Sequence, residues 1–404
     1  MEATVSTAPA LMVDERNALP EDRDRATLIG RAWVPGPLPG PSPVVITGGK
    51  AFDLAQIAPT SAELINSDDP VARVRAALAN GRAMPIGFVA DMLANSVAER
   101  RDPNRPYFLA PVDLQAIRAC GVTFIASMLE RVIEEQAKGN PAGAEAIRKG
   151  LGEEIGGELR AIKPGSPEAM RLKDSLIRRG MWSQYLEVGI GPDAEVFNKA
   201  QPMSAVGTGA EIGVLSTSSW NNPEPELVLA VNGAGKVLGA TLGNDVNLRD
   251  YEGRSALLLG RAKDNNASCA LGPFIRLLDE HFALDHLRRT RIDVEVSGTD
   301  GFRVQGGYSV AQISRDPLEL AGQALNRNHQ YPDGMVLFLG TAFAPTQDRG
   351  EPGRGFTHKV GDVVTIRSPT LGALSNRVNH CDRIAPWTFG VGELMRNLSE
   401  RGLI

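Results

Sequence analysis

Residues 224–245 read EPELVLAVNGAGKVLGATLGND. Two apolar runs of strand length flank Asn232-Gly233-Ala234-Gly235-Lys236, and turn residues between two such runs specify a β-hairpin. The hairpin fixes where its polar ends go. Glu224 and Glu226 stand one residue apart at the mouth of the first run, where acidic residues are normally depleted. Alternate residues of a strand share a face, so the two carboxylates project together. Like charges that close raise each other's pKa unless a cation intervenes. Asp245 ends the returning run, and a third carboxylate there completes an all-oxygen set that suits Mg²⁺ or Mn²⁺ rather than zinc. Spacing alone leaves a second reading open, in which the three acids form a solvated loop at a sheet end.

The glycines of NGAGKVLG do not make a dinucleotide loop, which would join a strand to a helix rather than to another strand. Elsewhere, Ile125, Met128, Leu129, Val132 and Ile133 follow the spacing of an amphipathic helix, with Glu130 off the stripe. Ser166-Pro167 and Asp316-Pro317 each pair an N-cap with proline at the first helical position and announce two more helices. IDVEVSG and VVTIRS add strands, and Gly48-Gly49 between apolar runs predicts a second hairpin. The expected organisation is a flexible arm over residues 1–25, a small N-terminal domain over 26–111 and a β-rich catalytic domain over 112–404, the last with peripheral helices.

With 42% hydrophobic and 23% charged residues the chain has a globular composition. A net charge of −5 gives no basic footprint for nucleic acid. Cys120, Cys269 and Cys381 are scattered without a CxxC, which argues against a disulfide framework or a zinc site. Without a signal-like start or a run of about 18 apolar residues, the expectation is a cytoplasmic protein with neither membrane nor nucleic-acid partner. The five histidines show no ligand-like spacing, and Cys269 reads as a small packed residue rather than a nucleophile.

Glu224-Pro225-Glu226-Leu227, the run Gly239 to Asp250 with its G-x-x-x-G-N-D-x-x-x-R-D pattern, and Lys263 eight residues before Leu271-Gly272-Pro273 resemble the fumarylacetoacetate hydrolase superfamily. Leu339-Gly340-Thr341 and Val360-Gly361-Asp362-Val363-Val364 extend the likeness, which covers roughly residues 115–400. The resemblance implies an α+β fold built on a mixed β-roll, with a divalent metal held by Glu224, Glu226 and Asp245. It places Arg249, Lys263 and Thr341 toward the substrate. It also implies a homodimer or homotetramer.

Hydrolytic members of that superfamily carry a histidine and a glutamate near the start of the catalytic domain that activate water. Here the matching stretch is Gly121 to Glu130, with Glu130 in the glutamate slot and Ser127 in the histidine slot. A hydroxyl is a far weaker base than imidazole. Longer stretches, among them GVTFIASMLERVIEEQ and GNDVNLRDYEGRSALLLGRAKDNNASCALGPF, resemble one branch, the 2-keto-3-deoxy-pentonate dehydratases. That branch implies a Mg²⁺-dependent lyase forming 2-oxoglutarate semialdehyde in pentose catabolism. Glu130 is then the expected acid-base residue, Lys263 a catalytic or substrate-binding cation, Ser127 a substrate contact, and Glu252 a partner of Arg249. The alternatives are a hydrolase or decarboxylase of acylpyruvate-like β-diketo acids and a non-catalytic metal-stabilised binding protein.

Overall fold

The computed structural model describes residues 9–148 and 162–404, apart from residues 12 and 146. Residues 1–8 and 12 of the expected arm therefore lie outside the described residues. The rest of that arm is packed rather than loose. Val13, Ala18 and Leu19 are buried, and Asp22 receives both terminal nitrogens of the buried Arg276, at 2.7 and 2.6 Å.

The fold is α+β. Among the described residues an 11-stranded sheet runs Met84–Phe88, Lys50–Asp53, Gly40–Thr47, Leu28–Val34, Cys269–Leu277, Val237–Asp245, Pro225–Val231, Met335–Phe338, Ala116–Gly121, Glu195–Ala200, with Tyr107–Leu109 on Leu28–Val34. A 5-stranded sheet of Arg303–Ser309, Arg291–Ser297, Val363–Ser368, Gly372–His380 and Glu211–Val214 packs against it. Each large sheet has one parallel pair, so both are mixed. No helix of the described residues is long and apolar enough to cross a membrane.

Both predicted hairpins form. Asn232 Oδ1 accepts from the Ala234 and Lys236 amides, and Gly235 takes a φ of +80° that side chains disfavour. Gly48 and Gly49, at φ of 55° and 69°, turn Thr47 back onto Lys50. Ser166 and Asp316 cap their helices as expected, accepting from the Ala169 and Leu318 amides.

The strand Pro225–Val231 is buried on both faces, which explains its continuous apolar run. Leu227, Leu229 and Val231 enter the core between the two sheets, while Val228 and Ala230 enter a second core on the opposite side. The expected boundary near residue 111 is not a break in this sheet. Leu28 and Ile29 pair with Arg276 and Ile275, and Phe108 meets Phe274 edge-on at 5.0 Å between centroids. The N-terminal strands lengthen the sheet that carries the Glu224–Asp245 hairpin instead of forming a detached unit.

Candidate active site

The hairpin register sets Pro225 opposite Asn244 and Glu226 opposite Gly243. Asp245 is tied back by its amide to the Glu224 carbonyl at 3.0 Å. The result is a cluster: carboxylate oxygens of Glu224, Glu226 and Asp245 lie within 4.8 Å of one another, and all three residues are buried. Every ligand atom it offers is a hard oxygen, the donor set of Mg²⁺ or Mn²⁺. Glu226 receives the Gly340 amide at 2.6 Å. Its burial, with Asp245 and Glu224 beside it, pushes its pKa well up. A divalent cation would relieve that crowding, so the residues fit one.

Cations already face the other two acids. Lys263 Nζ lies 2.5 Å from Glu224 and 3.0 Å from Asp245. Burial alone would lower its pKa, but the Asp245 and Glu224 charges outweigh that and raise it, so Lys263 stays an ammonium. Lys199, fully buried, lies 3.0 Å from the other Asp245 oxygen and also donates to the Lys263 carbonyl. Burial raises the Asp245 pKa, and the two lysines overcome it and hold the group below its ordinary value. Arg131 pairs with Glu224, with Glu134 at 2.6 Å and with Glu252 at 2.8 Å.

The cavity over this cluster is about 20 Å³, room for one ion or water. Ser127, Arg131, Glu195, Glu252, Lys263 and Thr341 line it around the three carboxylates. Burial, reinforced by the Glu252 charge, raises Glu195 to about 7. Burial likewise raises Glu252. Gly121 lies opposite Glu195 in the paired strand, and a Cβ there would fall 2.0 Å from a Glu195 oxygen, so the missing side chain makes room for the carboxylate.

Two expected residues fall elsewhere. Glu130 does not line this cavity: it pairs with Arg148 at 2.8 Å and with Arg249 at 2.9 Å. Burial pushes its pKa up, but the Arg148 and Arg249 contacts prevail and hold it below the ordinary value, the wrong direction for a general acid. Arg249 is likewise outside, stacked 4.4 Å from the Trp220 ring and bonded to Glu134 at 2.6 Å. Arg249 lines a neighbouring chamber with Arg148 and Pro345, and Glu130 is held to it through its bonds to those two arginines. The physical reason is helical phase. Ser127 and Arg131 are four residues apart and share the cavity face of Ile125–Gln136, whereas Glu130 lies about 100° round the helix from Arg131 on the far side of Ser127. Glu252 partners Arg131, not Arg249.

Ser127 and Thr341 do reach the cavity. The Ser127 hydroxyl donates to the Phe124 carbonyl at 2.9 Å, so its own helix holds that proton. Among the described residues no histidine lines the cavity. Cys269 is buried, which pushes its thiol up to about 12 and suits a packed residue. Sequence reasoning missed Glu195, Lys199 and Arg131. The available signal was Gly121, a glycine at a strand end where something must approach closely.

Residues 186–379 match the family model described as the fumarylacetoacetate hydrolase C-terminal. The 2-dehydro-3-deoxy-D-arabinonate dehydratase of Saccharolobus solfataricus is 34% identical over 183 residues, 45% of this chain and 57% of that protein. The probable 2-keto-3-deoxyxylonate dehydratase of Haloferax volcanii is 31% identical over 198 residues, 49% of this chain and 64% of that one. The matched region thus spans less than two thirds of either relative's length. A solved 2-keto-3-deoxy-D-arabinonate dehydratase, complexed with magnesium and 2,5-dioxopentanoate, shares the fold at a TM-score of 0.57 and 21% identity, covering 89% of this chain and 100% of that one. Motifs, sheet architecture and these matches agree that the chain carries a fumarylacetoacetate hydrolase C-terminal domain over residues 186–379.

Proposed function

We propose that this protein is a Mg²⁺-dependent dehydratase of 2-keto-3-deoxy-pentonates, forming the five-carbon 2-oxo-5-aldehyde acid. The observation that carries the reading is the composition of the cavity. Three carboxylates suited to a hard cation stand beside Glu195, whose pKa burial pushes up to about 7, and among the described residues no histidine lines the cavity to activate water. The names of the two curated relatives and of the solved dehydratase support the same chemistry.

Glu224, Glu226 and Asp245 would hold the Mg²⁺, which when bound would supply stabilisation of negative charge developing on a 2-keto acid. The chain's own residues supply the rest. Glu195, whose pKa burial raises above the ordinary carboxylate range, is suited to take the C3 proton and to return a proton to the departing C4 hydroxyl. Lys263 and Arg131 remain cationic and orient the acid head, with Ser127 and Thr341 against its chain. Glu130 and Arg249 brace the helix that carries Arg131. A shift of a C5 proton then completes the aldehyde with loss of one water and no carbon. Because 20 Å³ holds no five-carbon acid, the cavity walls must open for substrate.

The test supplies 2-keto-3-deoxy-D-xylonate and its L-arabinonate counterpart with Mg²⁺ and follows the product by mass. The expected product keeps five carbons, is lighter by one water and carries solvent deuterium. Pyruvate plus a two-carbon fragment would overturn the dehydratase reading. EDTA should abolish turnover and Mg²⁺ or Mn²⁺ restore it. Glu226→Gln should weaken metal binding in calorimetry while leaving the circular dichroism spectrum unchanged; undiminished affinity would sink the ligand assignment.

A further inference from the structure

A second cavity, about 210 Å³, opens between the N-terminal strands and the C-terminal segment and shares no lining residue with the carboxylate cavity. Strand register builds it. Arg31 and Trp33 lie on one face of Leu28–Val34, and Trp33 pairs with Pro41 on one side and Tyr107 on the other. Trp33 and Tyr107 are stacked at 17°, 6.4 Å between centroids, and Phe389 meets Trp33 edge-on at 5.8 Å.

Two guanidinium groups face this aromatic cavity, and no carboxylate lines it. Arg31 is 5% exposed. Among the described residues its side chain has one hydrogen-bond contact, Nη1 to the Met203 sulfur at 3.2 Å, a weak acceptor, and its Nε is buried without a partner. The acid whose charge it feels is Asp113, whose oxygens are already taken by the amides of Ser61, Ala62 and Leu114. Arg101 stacks 4.5 Å from the Tyr107 ring and gives one nitrogen to the Ser96 carbonyl at 2.6 Å. Its Nε is also buried and unpartnered. Neither arginine has an ion pair among the described residues. Buried charges are ordinarily paired, because stripping water from an ion costs several kcal/mol.

We propose that this cavity is a binding site for a small planar organic carboxylate, its charge held by Arg31 and Arg101 and its flat body laid against Trp33 and Tyr107. A guanidinium grips a carboxylate through two parallel hydrogen bonds, and the aromatic faces favour a flat ligand over a bulky one. At 210 Å³ the cavity is below the roughly 300–1,000 Å³ of drug-sized sites, which limits the ligand to a small molecule such as a single-ring acid.

The experiment uses benzoate as the probe, with benzamide as its neutral isostere, acetate as the anion without a ring and phenyl phosphate as the alternative head group. Binding to the full chain is read by intrinsic tryptophan fluorescence and by thermal shift. Benzoate should bind saturably, at least about 10-fold more tightly than benzamide or acetate. Arg31→Met and, separately, Trp33→Leu should each weaken it by a similar factor. Equal binding of benzamide, or no saturable response to benzoate, overturns the proposal. Tighter binding of phenyl phosphate overturns the carboxylate assignment in favour of a phosphate ester. The benzoate and benzamide comparison on the unaltered protein decides even if a variant fails to fold.

Discussion

Glu130 and Arg131 are neighbours in the chain, but only Arg131 lines the carboxylate cavity, and the chemistry assigned to each follows from that. Arg131 touches the ligand acid Glu224, whereas Glu130 is clamped by Arg148 and Arg249. Replacing Glu130 by Gln should therefore cost stability, about 1.5–3 kcal/mol for a charge-assisted contact, while kcat stays within a few-fold. A kcat loss of 10²-fold with unchanged Tm would return Glu130 to the chemistry. Glu195→Gln should do the reverse, lowering kcat by roughly 10²-fold or more and removing the limb near pH 7 from the rate profile. Its linkage has a definite sign. The Glu195 pKa is raised to about 7, so between the ordinary carboxylate range and that value the folded chain holds a proton that the unfolded chain has lost. Stability of the metal-free protein should fall as pH rises through that window, and Glu195→Gln should flatten the slope. An identical pH–stability curve in the variant would show that Glu195 titrates normally. The clustering of Glu224, Glu226 and Asp245 was legible because strand alternation and the hairpin return bring them together, whereas their reading as metal ligands rested on the family resemblance. The resemblance also supplied the acid-base reading of Glu130, and a sequence match carries no information about the two arginines that hold that carboxylate.

The elements that hold Glu195 are the paired strands Ala116–Gly121 and Glu195–Ala200. Their register brings Gly121 against the Glu195 carboxylate with no room for a methyl group. Gly121→Ala should push the carboxylate aside and lower kcat by about 10–100-fold, the scale of a 1 Å misplacement. The strand itself should not suffer, because the group displaced is the end of a flexible side chain and alanine narrows the unfolded ensemble. Parallel measurements of kcat and Tm separate the two effects; an unchanged kcat would mean that Glu195 is not held in place there. Hairpins and helix caps could be read from short segments, since Asn232, Ser166 and Asp316 act within a few residues of themselves. The pairing of Met335–Phe338 with Ala116–Gly121 joins distant segments in parallel, and no local pattern encodes it.

At the scale of the whole molecule, the N-terminal strands belong to the same sheet as the carboxylate hairpin, and composition could not reveal this. The stretch from residue 26 to 111 has its own turns and apolar runs, which is what a separate domain would show. What it lacks is visible only in three dimensions. Leu28, Val44, Phe108 and Phe274 share one core cluster, the last of them from the catalytic strand Cys269–Leu277. That strand also carries Arg276, which is buried and takes its carboxylate from Asp22. A chain beginning at residue 112 would bare the edge of Cys269–Leu277, expose Phe274 and strand the Arg276 charge. The apolar area bared by losing these strands is the larger cost, set against the roughly 5–15 kcal/mol that holds a domain folded. An open, apolar strand edge also invites aggregation. The shortened chain should therefore be recovered insoluble or without a cooperative thermal transition, even though it keeps every residue of the carboxylate cavity. The full chain should melt through both regions together, which hydrogen exchange along the two halves can follow. A soluble 112–404 fragment with the Tm and metal affinity of the full protein would show that the N-terminal strands only decorate the sheet.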